Sequence, residues 1–430
     1  MLERLEIGGE ATYAEEKPSP AVLLSLPRLI LGSIGWSATA RFTTVVGSAL
    51  RSILFARLLT PYDFGIFGAA LAVQTLLRQV TNPSLSRALV PQPENMERSL
   101  DTIWTALVLQ NIVVAVILVL GARRLAPFLR VREWTVFIAL APLPILMACG
   151  TPAIVERIAV KFDFRTACIL NIGEQTMGLG MGLLAMLWWR DWRALVVAAY
   201  AAQIAQFGLA YHYYPYWPSF RFDLQRASAL FSFGRWVMAR KIARYVADNL
   251  DSLVIAHLLG PSSLGSYQVA KRVAKLPTFE ASQPVADVAF PLGARIRRDR
   301  ANGIRFLLLT NGAAIAIGVV YAMVIAKWGM SIVVVLVGRK WIGAVAPLEF
   351  LCLFGAGQAL LAIGIQFLDG ANAPRAGFWV SMVNLVVLSI LILPLTHAFQ
   401  ATGTAMAMFF SMAACVPLIV IAYDRALSEG

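Results

Sequence analysis

The middle of the stretch from Phe231 to Leu259 carries Arg240, Lys241, Arg244, Asp248 and Asp251, although the stretch is otherwise apolar and long enough to cross a bilayer. A spanning helix needs about 20 residues. Arg244, Asp248 and Asp251 are spaced i, i+4, i+7 and so share one helix face. Each charge at a helix centre costs about 2.5–3.5 kcal/mol on the insertion scale, and a Leu, Ile, Phe or Val returns only about 0.3–0.6 kcal/mol. Three such charges cost about 8–10 kcal/mol, more than the apolar residues recover. Asp is also too short to snorkel to the interface. That face therefore belongs against an internal polar space, where ionisable groups mark a binding or ion-moving site.

Twelve apolar segments can be drawn, at 30–58, 65–88, 101–121, 134–156, 167–188, 194–214, 231–259, 265–291, 304–326, 345–368, 376–396 and 403–423. With Arg87, Arg235 and Arg305 at segment ends counted with the loops, ten basic residues fall inside segments: Arg41, Arg51, Arg57, Arg78, Arg240, Lys241, Arg244, Lys271, Arg272 and Lys275. All lie in segments 1, 2, 7 and 8, so these four describe a cavity wall. Arg41, Arg51 and Arg78 on one side would face Arg240, Lys241, Arg244, Lys271 and Arg272 on the other. Guanidinium forks match phosphate oxygens two at a time, and low dielectric strengthens the pairing, so the expected ligand is an anion such as a phosphate or pyrophosphate. The bland alternative is that Lys241, Arg244 and Lys271 snorkel to the inner surface and Arg57 anchors at the outer one.

Asp248, Asp251, Glu280 and Asp287 could bind a coupling proton or Na⁺; equally, the two aspartates could only neutralise Arg244 and Arg51. No resident cofactor is expected. Pro277, Pro284 and Pro291 recur every seven residues along segment 8. Each removes a helix hydrogen bond, which makes a bent segment 8 a candidate hinge, with Pro83 in segment 2 a weaker one.

The composition agrees with a polytopic all-α membrane protein: 430 residues, 59% hydrophobic, 14% charged, with mean hydropathy +0.69. The net charge of +13 then reads as loop basicity rather than nucleic-acid binding. About twice as many basic residues fall in loops on the side of the N-terminus as on the other side, so both termini are expected in the cytoplasm. The Arg123–Arg132 loop runs against that bias. Residues 1–28 form a polar tail whose Glu3, Glu6, Glu10, Glu15 and Glu16 exclude a signal-peptide start. The expected organisation is this tail, a six-helix bundle over 29–214, a cytoplasmic linker over 215–228 and a second six-helix bundle over 229–430.

An internal repeat supports two halves. Ala56-Arg-Leu58-Leu59-Thr-Pro61-Tyr-Asp-Phe-Gly65-Ile-Phe67 aligns with Ala256-His-Leu258-Leu259-Gly-Pro261-Ser-Ser-Leu-Gly265-Ser-Tyr267 at an offset of 200. Six segments per half give the halves the same orientation, related by an axis along the membrane normal, with the site between them. The alignment sets Arg41 against Lys241 and Arg51 against Asp251.

Other chemistries find no support. The histidines (His212, His257, His397) are scattered, and the cysteines (Cys149, Cys168, Cys352, Cys415) lie in apolar runs without ligand spacing. No phosphate loop opens a helix, and no long loop could hold a catalytic domain, so an enzyme is not expected.

The Leu59-Thr-Pro61-Tyr-Asp63-Phe64-Gly65-Ile-Phe67 turn, its second-half counterpart Leu259-Gly-Pro261-Ser-Ser-Leu-Gly265-Ser-Tyr267, the Gly338-Arg339-Lys340-Trp341 run and the turn at Gly403 resemble those of bacterial polysaccharide flippases. These belong to the multidrug/oligosaccharidyl-lipid/polysaccharide exporter superfamily. The second half departs from the pattern in carrying Ser262 and Ser263. The resemblance implies two six-helix bundles forming a V that works by alternating access in the bacterial inner membrane. It implies an oligosaccharide on a polyprenyl pyrophosphate as substrate, moved from the cytoplasmic to the outer leaflet. Membrane lipids, a polysaccharide polymerase and export proteins are the implied partners. The rivals are a cation-coupled multidrug exporter of the same fold, which a basic cavity suits poorly, a membrane glycosyltransferase or polymerase, and a non-transporting scaffold.

Overall fold

Thr60, Pro61 and Asp63 start a helix by local chemistry alone. Thr60 Oγ1 donates to the Asp63 carboxylate, and the Asp63 N–H donates back to Thr60 Oγ1 at 3.3 Å. Pro61 fills the first helical position, where its missing N–H costs nothing. At the matching turn of the second half no side chain caps the helix. Gly260 instead adopts φ +85°, a conformation that suits glycine, and Pro261 again opens the helix. The repeat thus makes one turn in two ways.

The computed structural model describes residues 39, 41–81, 96–155, 164–215, 218–220, 224–296, 300–371 and 373–428. Among them there is no strand. The helices are α1 (41–58), α2 (Pro61–Thr81), α3 (Met96–Phe128), α4 (Thr135–Leu140), α5 (Leu143–Val155), α6 (Phe164–Trp188), α7 (Trp192–Tyr213) and α8 (Leu224–Leu259). Then come α9 (Pro261–Lys275), α10 (Ala281–Ile296), α11 (Arg300–Leu336), α12 (Val345–Gly370) and α13 (Pro374–Ser428).

Each of the twelve expected segments finds a helical counterpart, with breaks the periodicity did not show. Segment 4 is divided into α4 and α5. Segment 8 is α9 and α10 joined by a π-helical turn, Leu276–Glu280, that contains Pro277. Pro284 and Pro291 lie within α10, and Pro83 lies outside the described residues. Segments 11 and 12 are the two limbs of α13, folded at Gln400 (φ 54°, ψ −136°). Gly403 lets the second limb pass against the Leu395 carbonyl, and the Thr396 and Thr404 hydroxyls hydrogen-bond at 2.8 Å across the fold. The Ile332–Val337 run is the end of α11.

Six stretches are long and apolar enough on their own to span a membrane: Pro61–Thr81, Asp101–Phe128, Trp192–Tyr213, Gly303–Leu336, Arg339–Gly370 and Arg375–Tyr423. α12 is the buried centre of the second half, packed by α9, α10, α11 and α13. α11 and α13 turn Leu308, Val320, Met323, Trp379 and Ile390 outward, the pattern of helices that face lipid. Trp188 and Trp189 are exposed at the end of α6, as an interfacial belt requires. In the Arg123–Arg132 region the Arg123 guanidinium lies over the Trp134 ring at 5.3 Å.

The halves meet where α2 crosses α9 and packs beside α8. At the crossing, the Gly65 α-carbon lies against the Pro261 carbonyl and the Gly265 α-carbon against the Pro61 carbonyl, with no room for a Cβ at either. Gln268 of α9 lies over Gly68 in the same way. Small residues let membrane helices approach backbone to backbone. The Pro-x-x-x-Gly repeat is therefore a reciprocal contact between the halves.

Candidate functional site

Asp251 is fully buried, and its partners come from two helices. Lys271 Nζ lies 2.6 Å from Asp251 Oδ2 and Tyr267 OH donates to the same oxygen at 2.8 Å. Tyr267 and Lys271 are one turn apart on α9, which is why both reach one point on α8. The Ser252 N–H donates to Oδ1 at 2.7 Å, and Lys271 Nζ also donates to the Asp248 carbonyl at 2.6 Å. The carboxylate is saturated with donors, as a buried charge must be. Its cation is Lys271, not Arg51, which the repeat alignment had set against it.

Asp248, three residues earlier, is differently placed. Gln358 Nε2 donates to its Oδ1 at 2.8 Å, and Arg244 Nε stands 3.7 Å from its Oδ2, the pairing expected from the i, i+4 spacing. Arg244, Asp248 and Gln358 line a small cavity together with Ser381, Asn384 and Met412, about 30 Å³ in volume, room for a water. Gln358 is 2% exposed and its Oε1 has no hydrogen-bond partner.

Between the halves the basic residues of α1 and α9 approach each other. Arg272 Nη1 donates to Ser52 Oγ of α1, within electrostatic range of both Arg51 and Glu280. Arg51 lies against Gly178 of α6, with Nη1 2.7 Å from where a Cβ would stand, and Glu174 one turn earlier is its balancing charge. Gln206 Nε2 donates to Glu174 at 3.1 Å and holds that carboxylate in place. Arg41 Nη2 donates to Gln283 Oε1 of α10 at 3.0 Å. Farther along, Tyr245 OH reaches the Ala72 carbonyl at 3.4 Å. Arg78 turns to Met147 Sδ at 3.0 Å, within its own half.

Arg41 and Arg272 thus bond across the surface the halves share, with Arg51 beside Ser52 and balanced by Glu174, whereas Lys271 and Arg244 are engaged by Asp251 and Asp248. The side chains of Arg240, Lys241, Asp287 and Pro291 lie outside the described residues. Sequence reasoning gave no role to Glu174, Gln206, Gln358 and Tyr267, which hold the charged groups in position. It counted Lys275 but gave it no role. That ammonium sits over the rings of Phe279 (5.5 Å) and Phe354 (5.6 Å). Its place one turn after Lys271 was the available signal. Among the described residues no three His, Cys, Asp or Glu converge as a metal site.

The profile of the family described as "Polysaccharide biosynthesis protein" matches residues 54–346, more than half of the chain. The chain belongs to that polysaccharide biosynthesis family. Its relatives include the succinoglycan biosynthesis transport protein ExoT of Rhizobium meliloti, 26% identical over 84% of this chain and 73% of that protein. The teichuronic acid biosynthesis protein TuaB of Bacillus subtilis is 23% identical over 84% of this chain and 76% of its own. The lipopolysaccharide biosynthesis protein WzxC of Escherichia coli is 22% identical over 77% of this chain and 68% of its own. Among solved structures, the lipid II flippase MurJ in an inward closed conformation superposes with a TM-score of 0.74 at 13% identity, covering 90% of this chain and 86% of that one. The Vibrio cholerae MATE transporter VcmN gives 0.63 at 12% identity, covering 95% and 99%. This member of the polysaccharide biosynthesis family therefore has the multi-pass fold of those transporters.

Proposed function

We propose that the protein is a flippase that moves polyprenyl-pyrophosphate-linked oligosaccharide from the cytoplasmic to the outer leaflet of the bacterial inner membrane, for surface polysaccharide assembly. The observation that carries this is that Arg272 of one half donates to Ser52 of the other, beside Arg51, so that cations of both halves come together at the shared surface. Two guanidinium groups within electrostatic range of each other, with Glu174 near the first and Glu280 near the second, make a receptor for a doubly charged anion, and a pyrophosphate supplies it. The family and the names of its relatives support a glycan cargo. The prenyl tail needs no protein pocket, because it stays in lipid.

The mechanism that suits this geometry is alternating access. The cations of the two halves repel one another until an anion bridges them, so substrate binds best to the state in which both can touch it. Both termini lie in the cytoplasm on this reading, which makes the Pro61–Pro261 crossing the outer end. A coupling proton or Na⁺ is assigned to Asp248, whose carboxylate faces a water-sized cavity beside the open Gln358 oxygen. Asp251 is left as an internal counter-ion. A polymerase and export proteins would take the glycan onward.

The MATE-like fold also suits a multidrug exporter, but such cargo is cationic or apolar, and the Arg51–Arg272 surface repels cations. The test is translocation of a polyprenyl-pyrophosphate oligosaccharide in proteoliposomes. Arg51→Ala and Arg272→Ala should each reduce the rate by tenfold or more, at about 1.5–3 kcal/mol per charged hydrogen bond. Unchanged rates in both variants would refute the anion site, and elongation of the glycan would refute the transporter.

A further inference from the structure

The Gly338-Arg339-Lys340-Trp341 run has no part in the anion surface, yet Trp341 is fully buried. Its role lies in the carbonyls of the helix ends. A helix leaves its last four C=O groups without an internal partner. In α11 the Val333 carbonyl is taken by Val337 N and Gly338 N, and that of Val334 by Gly338 N. The remaining two, Val335 and Leu336, accept from Arg57 of the other half, the Leu336 carbonyl from Arg57 Nε at 2.7 Å. In α1 the Phe55 carbonyl accepts Leu59 N. The next two accept from the second half: Ala56 O from Trp341 Nε1 at 2.8 Å, and Arg57 O from Lys340 Nζ at 2.8 Å. Each half supplies the caps for the other half's helix end.

Gly338 makes this arrangement available. Its φ of 101° turns the chain from α11 into the 3₁₀ turn Arg339–Ala344, which carries Lys340 and Trp341 back onto α1. The Trp341 ring then packs edge-on against Phe64, centroids 5.5 Å apart. A third cap sits nearby, where His257 Nδ1 donates to the Phe128 carbonyl at the end of α3 at 2.7 Å and its ring stacks on Phe128. The arrangement also answers the expectation for Arg57, whose guanidinium binds carbonyls across the gap.

We propose that these reciprocal caps are a latch that holds the halves together at the Pro61–Pro261 end and must release for that end to open. The proposal rests on the alternating-access part of the functional reading and goes beyond it by naming the parts that hold the gate. Such a latch suits a gate that cycles. Its acceptors are backbone carbonyls present in every state, and water replaces each donor when the halves part. Each net bond is therefore modest, biasing the closed form about two- to tenfold. Several acting together keep the open form minor, and the substrate's own binding can overcome them.

The test is maleimide labelling of Ser266→Cys, which lies half-buried beside Gly343 of the 3₁₀ turn, in purified full-length protein in nanodiscs. Rates are taken above those of the chain with only its own four cysteines. Lys340→Met and Trp341→Phe should each raise the rate about two- to tenfold, and the pair should raise it further. Trp341→Phe removes the donor but keeps a ring against Phe64, and Lys340→Arg, which keeps a donor, should label like the parent. Equal rates in Lys340→Met, Trp341→Phe and their combination would overturn the latch. Because labelling needs no glycan, faster labelling without any translocation would keep the latch and remove the flippase. Lost translocation with unchanged labelling would do the reverse.

Discussion

At the scale of the residue, two carboxylates on one face of α8 have different partners: Asp248 stands 3.7 Å from Arg244 of its own helix, whereas Asp251 is met by Lys271 and Tyr267 of α9. The cost of Arg244, Asp248 and Asp251 in hydrocarbon is local arithmetic and required an internal polar face. The i, i+4 spacing showed the Arg244–Asp248 pair, but which cation of another helix meets Asp251 depends on helix rotation, which no spacing within α8 could reveal. The repeat set Asp251 opposite Arg51, whereas the fold brings it Lys271 and Tyr267 from α9. A consequence can be measured. Asp251→Ala leaves the Lys271 ammonium buried without its counter-charge, which costs about 3–5 kcal/mol. Lys271→Met leaves the carboxylate equally stranded. Asp251→Asn combined with Lys271→Met removes both charges and should recover most of the loss, as melting temperature in detergent would show. If the double variant were no more stable than either single one, the pair would have a role other than mutual neutralisation.

At the scale of the element, the Pro-x-x-x-Gly repeat was legible as a repeat and as two helix starts, but its purpose was not. Pro61 and Gly65 read as a turn because local chemistry makes them one. That Gly65 meets the Pro261 carbonyl, and Gly265 the Pro61 carbonyl, follows from the crossing of α2 and α9. The break in segment 4 escaped a hydropathy reading because the apolar run continues through it, whereas the prolines had marked segment 8 as bent and its break falls at the turn containing Pro277. The crossing carries its own prediction. Gly65→Ala and Gly265→Ala place a methyl group against a backbone carbonyl, which no rotamer can relieve, so α2 and α9 must move apart at a cost of about 1–3 kcal/mol. Both variants should label faster at Ser266→Cys and export less glycan. Ala69→Gly, on the same helix but away from the carbonyl contacts, is the control for added flexibility. Slow labelling in both glycine variants would mean that the crossing tolerates a gap without opening.

For the whole molecule, the concentration of basic residues on segments 1, 2, 7 and 8 pointed to a shared wall, and α1 meets α9 there through Ser52, Arg51 and Arg272. What composition could not separate is the cation that holds cargo from the carboxylate that senses an ion, because both are charges inside a membrane. The two carboxylates of α8 differ in what each still has to bond. Asp251 has its donors already. Asp248 is held by a neutral amide and a guanidinium at 3.7 Å, and it borders space for a water beside an unbonded oxygen. On the proposed reading, a coupling ion therefore binds at Asp248 rather than at Asp251. In proteoliposomes with a proton or Na⁺ gradient imposed in turn, one gradient should raise the glycan rate in the parent protein. Asp248→Asn keeps the shape and the Gln358 contact but removes the charge. It should lose the response to that gradient while its rate without a gradient stays within about twofold, since the Arg51–Arg272 surface is untouched. A variant that still responded fully would move the coupling to Glu280 or Asp287. A parent that responded to neither gradient would leave cargo binding alone to bias the exchange between states.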